Sequence, residues 1–303
     1  MQHTTRFVVL ASMVACLGFA STACGDDSDD DGGGAADVAS DADTGADAFD
    51  TSAGDTSDVS DSDSDAADAG FDPLERTPVQ DGVDPDGHSN VAEDLDPGEV
   101  RVGEITSENT GFSGLWSHCR QGDFKLYNSE IAVCIQSETT NRFELFSGGK
   151  IVDAIRLGTP SGTVDRLDAV APLIGLGTVF ADSVEVVRDG TAGDLAVLRV
   201  EGRHTPIAHL SGVLPGGLFD DSKEVDVTLE YRLDADSNTV EMVAWYSYSG
   251  PGSRAFDAGD WFAWGDRARL WSPTGGLGEP GNEYGWLAGI GDGFSYAWAA
   301  PGT

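Results

Sequence analysis

Glu224-Val225-Asp226-Val227-Thr228-Leu229-Glu230-Tyr231-Arg232-Leu233 alternates apolar and polar residues without a break. In an extended chain the five apolar residues fall on one side and Asp226, Thr228, Glu230 and Arg232 on the other, which predicts a strand with one apolar and one wet face. The same period of two marks residues 124–128, 130–136, 142–146, 151–157, 183–188, 194–202 and 239–248. Turn formers separate these runs: Gly148-Gly149, Asp189-Gly190, Pro215-Gly216-Gly217, Asp236-Ser237-Asn238 and Pro251-Gly252. No window keeps a helical period beyond a turn or two. Strands joined by turns, without alternating helices, predict an all-β chain folded as an antiparallel β-sandwich.

Upstream of these strands the composition changes. The chain has 303 residues and a formal net charge of -36, and residues 25–98 hold 24 acidic side chains against one basic residue, Arg76. Residues 99–303 carry 29 acidic and 15 basic side chains with most of the aromatics, and about 200 residues suffice for a substantial core. Residues 26–70 are almost only Asp, Ala, Ser, Gly and Thr. With so little to bury, such a segment is expected to be a disordered, self-repelling spacer. An acidic surface also repels nucleic acid and anionic headgroups, so no nucleic-acid partner is expected. Asp81, Asp84 and Asp86 have spacings seen in calcium loops. Asp is so common here that such spacings arise by chance, and no Glu closes the loop in register. No metal or cofactor is therefore expected.

The first residues have the layout of a secretory leader: a short polar start with Arg6, an apolar run over 7–20, then small Ser21, Thr22 and Ala23. The run falls short of the roughly 20 residues that span a bilayer. Small residues before Cys24, followed by Gly25, Asp26 and Asp27, resemble the bacterial lipobox. That resemblance implies acylation of the Cys24 thiol, cleavage just before it, and a lipid bilayer as the partner of the acylated cysteine. Ser21 stands where the pattern prefers Leu, so simple secretion is the alternative, while Cys16 reads as part of the apolar run. Two or more acyl chains anchor a protein stably. The expected division is 1–23 leader, 24–98 anchor cysteine and disordered linker, and 99–303 β-sandwich domain. The expected place is the cell envelope, on the outer membrane, facing the periplasm or the surface. Similar Asp-rich spacers follow the lipid cysteine in lipoproteins of myxobacteria.

Within the domain, Gly122-Asp123-Phe124-Lys125-Leu126-Tyr127-Asn128-Ser129-Glu130-Ile131-Ala132-Val133 resembles the opening of β-sandwich modules that precede the catalytic domain in CehA/McbA-type metallohydrolases. Val152-Asp153-Ala154, residues 184–190, residues 196–200 and residues 289–296 follow in the same order as in those modules. The resemblance implies a galactose-mutarotase-like supersandwich with a sugar-binding history. The histidine-rich catalytic domain of those larger proteins is not in this sequence. It therefore reads as a free-standing module or as the N-terminal part of a larger exported metallohydrolase.

Cys119 and Cys134 flank the 124–128 strand, and in an exported chain they read as a disulfide, with two buried thiols as the alternative. His204 and His209 are five apart around Pro206, which fits neither a helical nor a strand pair of metal ligands. With Glu201 or Glu230 they offer a mutarotase-like acid and base, the enzymatic alternative. Trp261, Trp264, Trp271, Trp286 and Trp298 crowd the last 45 residues beside Asp257, Asp260 and Asp266. Sugar faces stack on Trp and carboxylates accept sugar hydroxyls, so Trp261, Trp264, Trp286, Asp257 and Asp260 form a candidate carbohydrate platform. The same aromatics also serve as sandwich core. Neither a G-x-S-x-G elbow nor a phosphate loop occurs. The expectation is a non-catalytic binding or spacer module, with polysaccharide as its favoured ligand.

Overall fold

The computed structural model describes residues 3–10, 75–113, 117–138, 148–158, 167–207, 224–252, 258–263, 269–278, 286–291 and 294–299. Among them every pairing between strands is antiparallel. The strands are β1 (His3–Leu10), β2 (Val100–Glu104), β3 (Phe124–Asn128), β4 (Ile131–Ile135), β5 (Ile151–Arg156), β6 (Ala169–Ile174), β7 (Gly177–Asp189) and β8 (Leu195–Pro206). They continue as β9 (Val225–Asp234), β10 (Thr239–Tyr248), β11 (Ala258–Ala263), β12 (Arg269–Ser272), β13 (Gly276–Leu277), β14 (Trp286–Gly291) and β15 (Phe294–Ala299). The runs at 124–128 and 239–248 form strands with those bounds, while 183–188 and 194–202 lengthen into the β7–β8 hairpin. The run at 142–146 lies outside the described residues.

From β2 to β10 each strand pairs with the next in a meander, and β11 pairs separately with β6. Bulges interrupt the β7–β8 register between Ala181 and Ser183 and between Val186 and Arg188, and bulges bend a strand and increase its twist. Side chains reach across the interior between strands that are not neighbours in the sheet. Tyr231 Oη donates to Gly149 O at 2.8 Å, Tyr296 Oη to Ala154 O at 2.9 Å, and Asn128 Nδ2 to Ser237 O at 2.6 Å. The main core between the layers is built from alternate residues. Val225, Val227, Leu229, Tyr231 and Leu233 of β9 are buried there beside Val240, Met242 and Ala244 of β10. A smaller core with Ile105, Tyr127, Ala132, Cys134 and Val152 covers the other face of β3–β5. Burial on both faces explains why β4 reads Ile-Ala-Val-Cys-Ile rather than alternating.

The face expected to be wet over 224–233 is exposed at Asp226 but buried beyond it. Thr228, Glu230 and Arg232 are buried, because residues 75–80, assigned to the linker on composition, lie across them. Fully buried Glu230 accepts from Thr77 N at 3.1 Å and from Thr77 Oγ1 at 2.7 Å, and from Nη2 of both Arg199 and Arg232 at 2.7 Å. Arg232 Nη2 also donates to Glu75 O at 2.8 Å. The Arg76 and Arg232 guanidiniums lie 6.0 and 5.6 Å from the Trp245 ring centre. Further along, Gln80 N donates to Val187 O and Val186 N to Pro85 O, both at 2.9 Å, and Gly87 bridges Gly103. Residues 75–88, which composition placed in the linker, are therefore bonded to the sheet. Composition concealed this because the strap is held by backbone groups and pairing of buried charge, not by apolar side chains.

Gly190 turns β7 into β8 at φ +83°, and a Cβ there would come within 2.1 Å of Val100 O. Only glycine meets both demands. β1, from the segment read as leader, lies antiparallel between β10 and β15, with Leu10 opposite Thr239 and Val8 opposite both Glu241 and Ala299.

Candidate functional site

The connection from β2 to β3 leaves and re-enters the sheet at one point. Ile105 N donates to Asp123 O and Gly122 N to Ile105 O, both at 2.8 Å. The described arms of this connection, 106–113 and 117–121, thus leave and return side by side, an arrangement that recurs at functional sites. Within it lies a cavity of about 630 Å³ lined by Glu108, Thr110, Phe112 and Ser113 on the outgoing arm and Ser117, Cys119, Arg120 and Gln121 on the returning arm. Small-molecule sites span about 300–1,000 Å³.

Three ties hold the returning arm. Cys119 is bonded to Cys134 of β4, with Cα atoms 5.9 Å apart, and both are buried. Ser117 Oγ donates to Asp153 Oδ2 of β5 at 2.7 Å, and His118 Nε2 lies 3.1 Å from Asp168 Oδ1 just ahead of β6. Beneath the neck, fully buried Asp123 accepts from Arg120 N at 2.8 Å and from Ser137 N at 3.2 Å. Its carboxylate and the sulfurs of Cys119 and Cys134 lie within 4.8 Å of one another. The sulfurs are joined to each other, so this is not a thiolate metal site. Nearby Lys150 is buried, and burial pulls its ammonium down to about 7 while Asp123 opposes the fall. Arg120 Nη1 donates to Ser117 O at 2.8 Å and Cys119 O at 2.7 Å, and Gln121 Nε2 to Thr106 O at 3.0 Å. These contacts set the loop's shape. Chemically the lining is mixed: one carboxylate, one guanidinium, three hydroxyls, one amide and an aromatic edge.

The tryptophan-rich end behaves differently. Trp261 is exposed, at 37 %, whereas neighbouring Asp260 turns its carboxylate the other way, as alternation along β11 requires. Asp260 Oδ2 accepts from Trp298 Nε1 at 2.8 Å. The residue as a whole is half-buried, but its Oδ1 is closed off from solvent without a hydrogen-bond partner, as is Tyr246 Oη. Burial raises the Asp260 carboxyl to about 8, with the Trp298 bond opposing, and burial likewise raises the phenols of Tyr231 and Tyr246. Trp298 packs against the main core, edge-on to Phe262 with ring centres 6.4 Å apart. Trp261 and Asp260 therefore do not present one surface. Trp264, Asp257 and Asp266 lie outside the described residues, as does the side chain of Trp286 in β14.

His204 Nε2 donates to Ile174 O at 2.9 Å, and Gly177 leaves room for that ring, since a Cβ there would lie 2.0 Å from Nε2. Glu201 accepts from Thr228 Oγ1 at 2.7 Å, and Glu230 is held by its two arginines. His204 and these carboxylates thus have structural partners of their own. His209 and Cys24 lie outside the described residues. Asp84 Oδ1 accepts from Asp86 N at 3.1 Å in an exposed turn. The loop cavity matches no motif in the sequence. Its one signal was a polar stretch without period between Ile105 and Phe124, carrying a cysteine near its end. In comparisons with protein-family models, with curated proteins and with solved structures, nothing matches this chain.

Proposed function

We propose that this chain is an exported protein, acylated at Cys24, which displays a non-catalytic β-sandwich binding module away from the outer membrane on an acidic spacer, with polysaccharide as its ligand class. The observation that supports this most is the polar cavity of the 106–121 connection, lined by hydroxyl and amide groups with one acidic and one basic side chain rather than by convergent histidines. Such groups both donate to and accept from sugar hydroxyls. The strap at 75–80 supports the display half of the reading, because it fixes to the sheet the point where the spacer meets the domain. No helix among the described residues is long and apolar enough to cross a membrane, and in this reading the acyl chains supply the anchor.

The test has two arms. The full chain and its Cys24→Ser variant are compared by detergent partition, and the released protein is passed over immobilised envelope polysaccharide. The parent is expected in the detergent phase, the variant in the aqueous phase, and the released protein on the column. Equal partition of the two would refute the anchor, and passage through every polysaccharide column would refute the ligand class.

A second, enzymatic reading has one observation in its favour: His118 and Asp168 form a partly exposed pair one residue from the cavity wall. An acid and a base beside a bound sugar suffice for mutarotation. Mutarotase turnover that vanishes in His118→Ala would establish that reading in place of simple binding.

A further inference from the structure

We infer that the cavity inside the 106–121 loop, not the tryptophan-rich end, is where the ligand binds, that it takes a neutral, hydroxyl-rich ligand such as sugar units of a polysaccharide, and that the Cys119–Cys134 disulfide is a working part of the site. This rests on the proposed function and deepens it.

The ligand class follows from the lining. Among the described lining residues, Glu108 and Arg120 are of opposite sign and cancel in formal charge, and the other polar groups are the hydroxyls of Thr110, Ser113 and Ser117 and the amide of Gln121. Phe112, buried in the smaller core, adds an apolar stretch of wall. An anionic ligand would approach a domain with 29 acidic and 15 basic side chains beyond residue 98, and that field opposes it. A cation would meet one carboxylate and a guanidinium together. A neutral polyol carries neither penalty and satisfies groups that both donate and accept.

The role of the disulfide follows from its place. Cys119 is at once part of the cavity wall and one of the three ties on the returning arm. The other two, Ser117 to Asp153 and His118 to Asp168, are non-covalent and partly exposed. A site whose walls all come from one loop binds well only if that loop is already ordered, because ordering it on binding subtracts from affinity. A dithiol reductant would deliver two electrons and two protons to the Sγ–Sγ bond, leaving two thiols while the dithiol itself becomes a disulfide. The arm then keeps only its weaker ties. Linkage makes the effect reciprocal: if reduction weakens binding, bound ligand opposes reduction by the same factor.

The test uses the full chain released from membranes in detergent. Binding of neutral disaccharides, maltose and cellobiose, and of glucuronate as a charged control is followed by amide exchange over residues 105–122. The protein is studied oxidised, reduced and alkylated, and as Glu108→Ala, Ser113→Ala and Trp261→Ala, each checked for an unchanged Tm. A neutral disaccharide is expected to protect these amides, with affinity at least tenfold lower in the two loop variants and in reduced protein, and unchanged in Trp261→Ala. Saturating disaccharide is expected to shift the dithiol–disulfide equilibrium toward the oxidised protein by the same factor. Binding that survives loop substitution and reduction within twofold, or that is lost in Trp261→Ala, would overturn the assignment while leaving the polysaccharide reading intact. A preference for glucuronate would overturn the ligand class. No protection by any saccharide, with polysaccharide also failing to retain the protein, would overturn both.

Discussion

At the scale of single residues, the two buried carboxyls Glu230 and Asp260 behave in opposite ways because their partners differ. Glu230 faces two guanidiniums and the Thr77 backbone, so its charge is matched. Removing that charge takes a carboxylate away from both Arg199 and Arg232, whose side chains are 11 % and 3 % exposed, while Arg232 keeps its longer pair with Glu241 at 3.6 Å. Breaking a buried pair by removing one partner costs about 3–5 kcal/mol, and Glu230→Gln is expected to lose that much in urea unfolding. A loss near zero would mean the clamp contributes nothing net. Among the described residues Asp260 has one hydrogen bond and no cation, and burial holds its carboxyl up at about 8. The folded state therefore binds a proton that the unfolded state gives up near the ordinary carboxylate range. The stability from this group is complete below that range and falls as pH rises toward 8, by about 1.4 kcal/mol for each pH unit at most. Stability curves of the parent and Asp260→Asn between pH 4 and 8 check the sign. The parent should lose stability relative to the variant, and parallel curves would show that the carboxyl is not held up.

At the scale of elements, the loop and β1 each depend on a covalent event. The Cys119–Cys134 bond closes a segment of 15 residues, which is worth about 3 kcal/mol by loop-closure entropy. Replacing both cysteines by Ala is expected to cost that amount and to speed amide exchange over 105–122 more than over β7 and β8. Uniform change across the chain would mean that the loop is held by its other ties. β1 belongs to the segment that the lipobox resemblance assigns to the leader. If that leader is removed, the edge of β10 loses the partner it has along 239–246. Processed protein from the envelope should therefore show faster amide exchange at 239–246 than the unprocessed precursor, and equal protection would mean that another segment takes the strand's place.

At the scale of the whole molecule, what matters is that residues 75–88 are tied to strands far from them in sequence. Residues 75–88 bridge β7, β9 and β2 through Glu230, Val187 and Gly103, so they belong mechanically to the sandwich. Limited proteolysis of the full chain is expected to spare residues 75–88, and early cleavage within them would show that the strap is not held. Truncation at residue 99 should instead give a less stable, aggregation-prone domain, since it uncovers Thr228, Glu230 and Arg232. A fully stable 99–303 fragment would show the strap to be dispensable.

What the sequence by itself determined was the antiparallel β architecture. The period of two over 224–233 and 239–248 has a single low-energy reading when one face is apolar and turn formers bound each run. It also marked Cys119 and Cys134, and the composition break ahead of the strands. It could not tell that Thr228, Glu230 and Arg232 on the polar face of 224–233 are buried, because Thr, Glu and Arg read as wet until the fold supplies their partners, and Thr77 is about 150 residues away in sequence. Nor could it separate Asp260 from Trp261, adjacent letters with opposite environments, or show that scattered polar residues between 106 and 121 enclose one cavity. Those outcomes depend on which groups the fold brings within hydrogen-bonding distance, and periodicity within a strand carries no information about contacts made across the chain.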